Sequence, residues 1–344
     1  MASYAAINDP AVWTASTFKS PEEFTVHFSA AELEEMDRVV ERIRADQITI
    51  ETVDNALYQW PLVTRKLVSI YPDVKSGRGF VVLGTLPADR YSKEELGLLY
   101  WGFGQTLGKC ASQSSKGDRL GHIRDMSATD PGARAYQNRY ELNPHTDFTD
   151  IVCLLCLRDA KTGGETPLAS ALQIHNEIAR TRPDLLEILY RGFRNHRRGE
   201  EQPGDDPITP HRVPVFSSVN GHVSLRFVRP YIEAAAAELG EPLTALETEA
   251  LDLVQDLAER DENRLDLRLT PGTVVMFNNY TVIHSRRPFV DHDEEDKKRH
   301  LLRMWVLPEN FRETAPEIEV FSTKGEIQKR ETVNSGFSWG VGGR

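Results

Sequence analysis

Two imidazoles and one carboxylate are the residues of this chain best suited to chemistry: His145 and Asp147, with one residue between them, and His284 far downstream. Two histidines and an acid can occupy one face of an octahedral iron(II) ion and leave three positions open for a cosubstrate and oxygen. Residues i and i+2 of an extended segment point to the same side. A strand through this stretch therefore lets His145 and Asp147 grip one ion while Thr146 points away. H-x-D is a short pattern, and its weight comes from what surrounds His284.

Pro271-Gly272 is a turn signal, followed by Val274 to Phe277, a short β-branched apolar run of the kind buried strands use. A polar turn at Asn278-Asn279 leads back to Val282-Ile283-His284. Lys298 to Val306 reads as a further strand, with Arg299, Leu301, Arg303 and Trp305 on one face. Two guanidiniums on one face beside a metal are costly unless each has an anionic partner. A guanidinium fork fits a carboxylate through two parallel hydrogen bonds. The sequence therefore asks for two acids, one a dicarboxylate cosubstrate and the other part of a substrate. The competing readings are a surface ion pair between Arg299 and the acidic run Asp293-Glu294-Glu295-Asp296, and a buried pair between Arg303 and an internal carboxylate.

These residues carry a resemblance to the taurine dioxygenase (TauD/TfdA) group of iron(II)/2-oxoglutarate oxygenases. The matching elements are Asn143-Pro-His145-Thr-Asp147, Gly163-Gly164-Glu-Thr166-Pro-Leu-Ala-Ser, Pro271-Gly272-Thr-Val-Val-Met-Phe-Asn-Asn, His284-Ser-Arg, and Arg299-His-Leu-Leu-Arg303. The set is specific, although each piece alone is not, and it spans about Gly77 to Leu307. The resemblance implies His145, Asp147 and His284 as iron ligands. It implies that Thr166 and Arg299 hold the distal carboxylate of 2-oxoglutarate, and that Arg303 holds an acidic group of the substrate. Gln113 and Phe148 fall, on a looser alignment, where relatives contact substrate. For Thr166 the competing reading is a hydroxyl that caps the turn after Gly163-Gly164.

The same resemblance implies an α+β chain with a double-stranded β-helix (jelly roll) core. The implied reaction spends O2 and 2-oxoglutarate to oxidise an unactivated C–H bond of a small, acid-bearing molecule such as an amino acid or a natural-product intermediate. Hydroxylation, desaturation and ring closure are all open outcomes. Halogenating relatives lack the ligand carboxylate, so Asp147 argues against halogenation. Two other readings use the same residues: a zinc hydrolase, because three N/O ligands and a water also describe catalytic zinc, and a non-catalytic jelly-roll binder with a vestigial metal set. The hydrolase leaves Arg299 and Thr166 without a task, and the intact ligand set argues against the binder.

Composition narrows the partners. With 344 residues and 40% apolar content the chain can bury a sizeable core. Its formal charge of -11 disfavours nucleic acid and anionic membranes as partners. No apolar run is long enough to span a bilayer, and the first residues lack the charged and apolar regions of a secretory signal. Three cysteines do not make a disulfide framework. Cys153 and Cys156 sit three apart in a strand-like run, so their thiols face opposite sides and read as apolar fillers. Cys110 reads as inert. A reducing cytoplasm fits all three, and a homo-oligomer is open.

The elements that must position the site follow from local signals. An N-terminal helical segment (1–76) is expected to pack on a body (77–310) carrying helical insertions at about 171–260, with a tail over 311–344. Ser29-Ala-Ala-Glu32, Ser92-Lys-Glu-Glu95 and Thr244-Ala-Leu-Glu247 are capping boxes that open helices. Gly79 to Leu83 reads as a strand, Ala171 to Arg182 and Pro183 to Tyr190 as helices, and Tyr231 to Leu239 as another. Asn220-Gly221 closes a hairpin within Val215–Val228. The polar stretch from Ser112 to Asn143 is expected to be largely loop at the mouth of the site. Arg191 to Pro210, with its basic cluster Arg194-Asn-His-Arg-Arg198, reads as a solvated loop, or more sharply as a flap over the substrate. The eight histidines other than His145 and His284 read as structural or solvated.

Overall fold

The structure is a computed structural model that describes residues 4–126 and 137–330. Seven helices are long enough to organise packing: α1 (Ala30–Asp46), α2 (Pro61–Lys75), α3 (Lys93–Leu107), α4 (Ala171–Thr181), α5 (Pro183–Arg191), α6 (Arg229–Leu239) and α7 (Ala245–Glu259). All three expected capping boxes form. In α1 the Ser29 hydroxyl accepts from the Glu32 N–H while the Glu32 carboxylate accepts from the Ser29 N–H, and α3 and α7 repeat this at Ser92 and Thr244. Helices α2, α5 and α6 instead begin with proline in the first turn, where its missing N–H costs nothing.

The strands are short, as their turn-bounded apolar runs require. The first eight are β1 (Thr25–Val26), β2 (Phe80–Leu83), β3 (Lys109–Ala111), β4 (Gly121–Ile123), β5 (Leu142–His145), β6 (Ile151–Arg158), β7 (Thr162–Gly163) and β8 (Thr166–Ser170). The remainder are β9 (Phe216–Val219), β10 (His222–Leu225), β11 (Arg264–Leu267), β12 (Val274–Asn278), β13 (Val282–Arg286), β14 (Phe289–Val290) and β15 (His300–Leu307). A seven-stranded sheet runs β1-β2-β12-β6-β15-β3, with β4 also on β15, and a four-stranded sheet runs β11-β8-β13-β5. The β9–β10 hairpin turns at Asn220 and Gly221, both at positive φ (49° and 83°), as a type I′ turn demands.

Three apolar clusters stack these pieces into layers. Alternation along β6 and β15 divides the large sheet cleanly. Cys153, Leu155, Leu302, Met304 and Val306 face a cluster shared with α1, α2 and α3. Val152, Leu154, Cys156, Leu301 and Trp305 face a second cluster that also contains Leu168 and Val282 of the small sheet. Ala169 and Ile283, on the other side of the small sheet, join a third cluster with α4, α5 and α7. The order is helices, sheet, sheet, helices. The two thiols of Cys153 and Cys156 lie in different clusters, as strand alternation requires, and burial raises both thiol pKa values, that of Cys156 to about 12.

The chain crosses between sheets at two neighbouring corners. One crossing leads from β5 in the small sheet to β6 in the large one, and the other leads from β12 in the large sheet back to β13 in the small one. Because β6 pairs with β12 and β5 with β13, both antiparallel, the two corners lie side by side. They carry His145, Asp147 and His284.

Two expectations need amendment. Arg191–Pro210 is not a solvated loop: Asn195, His196, Arg197 and Glu200 are all buried. The charged groups find tertiary partners, with Arg197 Nε donating to Val320 O at 2.7 Å and Glu200 accepting the Ser115 N–H at 2.6 Å. The expected mouth loop, which follows β3, does contain strand: β4 lies within it and β5 begins at its end, while its 127–136 portion lies outside the described residues. Among the described residues no helix is long and apolar enough to cross a membrane.

Gly272 shows how tightly the turn before β12 is built. It has φ +86°, its N–H donates to Cys156 O at 2.8 Å, and a Cβ there would stand 2.1 Å from Leu86 O. Gly272→Ala is expected to destabilise the protein by about 2 kcal/mol or more, from the left-handed backbone and the clash together. A urea-unfolding midpoint within error of wild type would contradict this. His175 tests burial differently. Its ring sits among Tyr4, Tyr190 and Phe216, Nε2 is 2.9 Å from the Tyr190 hydroxyl, and burial pushes its pKa down to about 4. The folded state holds this imidazole neutral while the unfolded chain protonates it near its ordinary 6.5, so protons favour unfolding and stability is lost as pH falls from about 6.5 toward 4. His175→Phe should flatten that slope by up to about 1.4 kcal/mol per pH unit relative to wild type, as read from unfolding free energies between pH 7 and 4.5 (about the range where the group titrates).

Candidate metal and cosubstrate site

Register brings the two histidines together. In the β13–β5 ladder His284 stands directly opposite His145, and their ring centroids are 4.2 Å apart. The ladder is interrupted between His284 and Arg286, so the strands part just beyond the pair. His145 Nδ1 lies 2.9 Å from Asn143 O, which fixes that nitrogen as the N–H and leaves Nε2 with its lone pair. Burial lowers the pKa of both imidazoles, and in His284 the neighbouring His145 adds to it. Neutral imidazoles are the form that ligates metals.

Asp147 does not share a strand with His145. β5 ends at His145, and the next two N–H groups leave the ladder: Thr146 donates to Phe227 O at 2.8 Å and Asp147 donates to Asn279 Oδ1 at 2.9 Å. The chain turns here because it is crossing between sheets. Asn279 also donates through Nδ2 to Asp147 O at 2.7 Å and Thr149 O at 2.8 Å, and Arg226 Nη1 donates to Asp147 O as well. The Asp147 carboxylate is buried, with Oδ1 2.8 Å from Arg303 Nη1 and Oδ2 3.2 Å from Trp305 Nε1. Burial works to raise its pKa, but the Arg303 guanidinium, the two histidines and the Trp305 N–H outweigh it, and the net shift is downward.

Next to the histidines opens a cavity lined on its polar side by His145, Thr166, His284, Ser285, Arg286, Arg299 and Arg303. Thr166 is the first residue of β8 and is buried, so it is a strand residue on the cavity wall rather than a turn cap. Arg299 is 2% exposed, and it makes no ion pair with the 293–296 run, whose Glu294 and Glu295 pair with Lys297 and Lys298. Its backbone N–H donates to Asp291 Oδ1, its Nη2 donates to Gly164 O at 3.1 Å, and its Cζ lies 5.0 Å from the Phe289 ring centroid. Its Nη1 is buried without a hydrogen-bond partner. Gly164 permits the approach: a Cβ there would sit 2.9 Å from Arg299 Nε.

Of the three residues expected at the substrate, only Arg303 lines this cavity. Gln113 is engaged with Arg303, and Phe148 packs against Tyr231 and Phe321 in the cluster between the sheets. The buried pair with an internal carboxylate, weighed above for Arg303, is present, and its partner is Asp147. Sequence reasoning missed Asn279, Arg226, Trp305 and Arg286. Asn279 had a signal, since a polar pair between two fully apolar runs must be satisfied inside the protein. Arg286 also had one, as a third cation two residues from His284. It is buried, donates to Asn138 Oδ1 and Tyr140 O, and its pKa falls to about 9 through burial and the nearby Arg299.

The donor set suits a borderline metal such as iron(II). His284 Nδ1 and Arg299 Nη1, both buried without hydrogen-bond partners, are the atoms that bound groups would satisfy. Among the described residues no three His, Cys, Asp or Glu side chains stand, as they lie, so that they could hold a metal ion together. The Asp147 carboxylate already rests on Arg303 and Trp305, so an ion must share it with them.

Comparison with known proteins gives this geometry a context. The chain is 30% identical over 308 residues to the FR-33289 synthase of Streptomyces rubellomurinus, covering 88% of this chain and 90% of that one. It is 28% identical over 327 residues to a taurine hydroxylase-like protein of Stachybotrys chartarum, covering 88% and 82%. An asparagine oxygenase bound to Fe(II), 2S,3S-3-hydroxyasparagine and succinate has a similar fold, with TM-score 0.62 at 17% identity over 83% of this chain and 93% of that one. So does the non-heme iron oxygenase OrfP, with TM-score 0.60 at 13% identity over 88% and 99%. The sequence model of the taurine catabolism dioxygenase TauD, TfdA family matches residues 66–305, so the chain belongs to that family and is an iron(II)- and 2-oxoglutarate-dependent oxygenase.

Proposed function

We propose that His145, Asp147 and His284 hold the iron, that Arg299 and Thr166 hold the distal carboxylate of 2-oxoglutarate, and that the enzyme oxidises an unactivated C–H bond of a small, acid-bearing molecule. When bound, iron and 2-oxoglutarate supply the oxidising power from O2, with 2-oxoglutarate leaving as succinate. The chain's own residues position and shield the reactants. His145 Nε2 is presented by the bond from Nδ1 to Asn143 O. Thr166 and Arg299 share the cavity with both histidines, so a dicarboxylate anchored there at one end can reach the metal with the other. The apolar residues Ile123, Leu142, Leu154 and Leu301 on the same cavity wall exclude water from the reacting end.

One observation carries this reading: Arg299 is buried beside Gly164 with Nη1 unsatisfied, in the cavity that holds the two histidines. A buried guanidinium in that state calls for an anion. Arg286 adds positive charge to the same wall, which favours a substrate that carries an acid. The amino-acid class draws support from the similarly folded proteins that hold 3-hydroxyasparagine or (3R,4R)-dihydroxy-L-Arg. A natural-product intermediate draws support from FR-33289 synthase. Zinc hydrolysis on the same ligands, or a non-catalytic binder, would leave Arg299 and Thr166 without an occupant, and the family membership is that of dioxygenases.

We read the two facing sheets as a double-stranded β-helix, with residues 1–76 as a helical cap, 77–310 as the oxygenase body and 311–344 as a tail. The cluster joining α1, α2 and α3 to the large sheet supports the cap. Three free cysteines suit a cytoplasmic setting.

Arg299→Ala removes a charge-assisted contact worth about 1.5–3 kcal/mol, so the 2-oxoglutarate requirement should rise by about 10- to 100-fold while iron(II) binding persists. The measurement is succinate formation against 2-oxoglutarate concentration, with the anaerobic visible charge-transfer band of the iron chelate as a second readout. Unchanged turnover at limiting 2-oxoglutarate would remove Arg299 from this role.

A further inference from the structure

The side chains around Asp147 form an arrangement that neither the metal nor 2-oxoglutarate accounts for. Arg303 spends Nη1 on Asp147 Oδ1 (2.8 Å) and Nε on Gln113 Oε1 (2.8 Å). Trp305, two residues along the same face of β15, donates to the other carboxylate oxygen at 3.2 Å, and the guanidinium lies 5.1 Å from its ring centroid. Gln113 returns two bonds through Nε2, to Arg303 O at 2.9 Å and Arg119 O at 3.1 Å. The amide is tightly fitted, since a Cβ on Gly121 would meet Gln113 Oε1 at 3.0 Å. Arg303, Gln113 and Trp305 are all buried.

We infer that Arg303, Gln113 and Trp305 are positioning residues that orient the Asp147 carboxylate toward the metal, and that Arg303 serves this carboxylate rather than an acid on the substrate. The inference rests on Asp147 being an iron ligand. Its physical basis is that a carboxylate rotates freely unless both oxygens are engaged, and a metal ligand that samples several orientations binds more weakly. Partners outside the ligand set typically contribute 10- to 100-fold to metal affinity. A guanidinium beside a divalent ion is repulsive in itself, so its place here is explained by geometry: its fork reaches Oδ1 and Gln113 at once, which a lysine ammonium cannot do. Gln113 has a second connection, because its backbone bridges to Ile327 of the C-terminal segment, and Ile327 N donates to Ser112 O at 3.1 Å. The last described residues thereby help to fix the carboxylate.

The experiment measures Mn²⁺ affinity by EPR on the full chain, without 2-oxoglutarate or substrate. Its variants are Arg303→Lys, Gln113→Ala and Trp305→Phe, each of which conserves the charge beside Asp147. Metal-free unfolding midpoints identify any variant that fails to fold. Trp305→Phe keeps the ring and loses only the N–H, so it remains informative if the others do not fold. The folded variants are expected to bind Mn²⁺ about 10-fold more weakly, with an altered spectrum of the bound ion. Wild-type affinity in folded Trp305→Phe and Arg303→Lys would overturn the inference. Asp147→Ala separates the two levels: loss of binding there supports the ligand reading whatever the other variants do, and retained binding sinks that reading and this inference with it.

Discussion

One amide side chain, that of Asn279, holds the backbone of Asp147, the proposed carboxylate ligand, at the join between two sheets. Asn279 accepts from Asp147 N and donates to Asp147 O and Thr149 O, all at 2.7–2.9 Å and all buried. It belongs to the crossing from β12 to β13, and Asp147 belongs to the crossing from β5 to β6, so these bonds staple the two crossings together. A turn buried between sheets has backbone groups that no ladder satisfies, and each one left unpaired would cost about 1–3 kcal/mol. Asn279 answers this need for Asp147 and Thr149, while Arg226 and Phe227 answer it from the hairpin side. The placement of Asp147 is thus a consequence of completing the hydrogen bonds of a corner.

Charge is the second constraint. Three guanidiniums, from Arg286, Arg299 and Arg303, line one cavity, and the carboxylate paired with Arg303 is Asp147. Arg286 donates to neutral carbonyl oxygens, and Arg299 donates through Nη2 to the Gly164 carbonyl. The nearness of Arg286 and Arg299 lowers the pKa of Arg286. On the proposed reading, the buried Arg299 guanidinium is held ready for the anion it would bind. Holding like charges ready in advance avoids the reorganisation that binding would otherwise require. The same preorganisation keeps both imidazoles neutral, because a cationic wall and burial each disfavour the imidazolium.

What the sequence discloses is what depends on near neighbours. Ser29, Ser92 and Thr244 announce their helices because each capping box closes within four residues. Asn220-Gly221 announces its hairpin because positive φ is a local demand. Leu301, Arg303 and Trp305 share a face because strands alternate, and Arg299, just before β15, lines the same cavity as Arg303, so two cations there needed acids. Alternation could not say that the acid of Arg303 is Asp147, 156 residues earlier, since any carboxylate satisfies the local rule. The same limit explains Arg191–Pro210. Charge-rich composition ordinarily means solvent, but Arg197 is satisfied by carbonyls of Val320 and Asp206, and composition carries no trace of such partners. Gln113 and Phe148 stood on alignment, which fixes neighbourhood more firmly than the direction of a side chain.

The C-terminal segment shows how a site can depend on residues outside its own cavity. Residues 318–330 contribute Ile318, Val320, Phe321 and Ile327 to the core, so the segment is held by apolar burial as well as by hydrogen bonds. Three stretches then share its backbone. Arg197 and His211 meet the carbonyls of Val320 and Glu319, Gln202 donates to Gln328 O at 3.0 Å, and Arg330 N donates to Ser115 O at 2.8 Å. Glu200 closes the ring by accepting from Ser115 N. Ser112–Ser115 therefore lies between the tail on one side and Arg303 on the other, with Gln113 as the contact point. A loop with few ladder bonds of its own acquires rigidity from this double attachment, which is what the proposed positioning of the Asp147 carboxylate through Gln113 requires. Residues 318–330, after the last strand, belong to the same mechanical unit as Asp147.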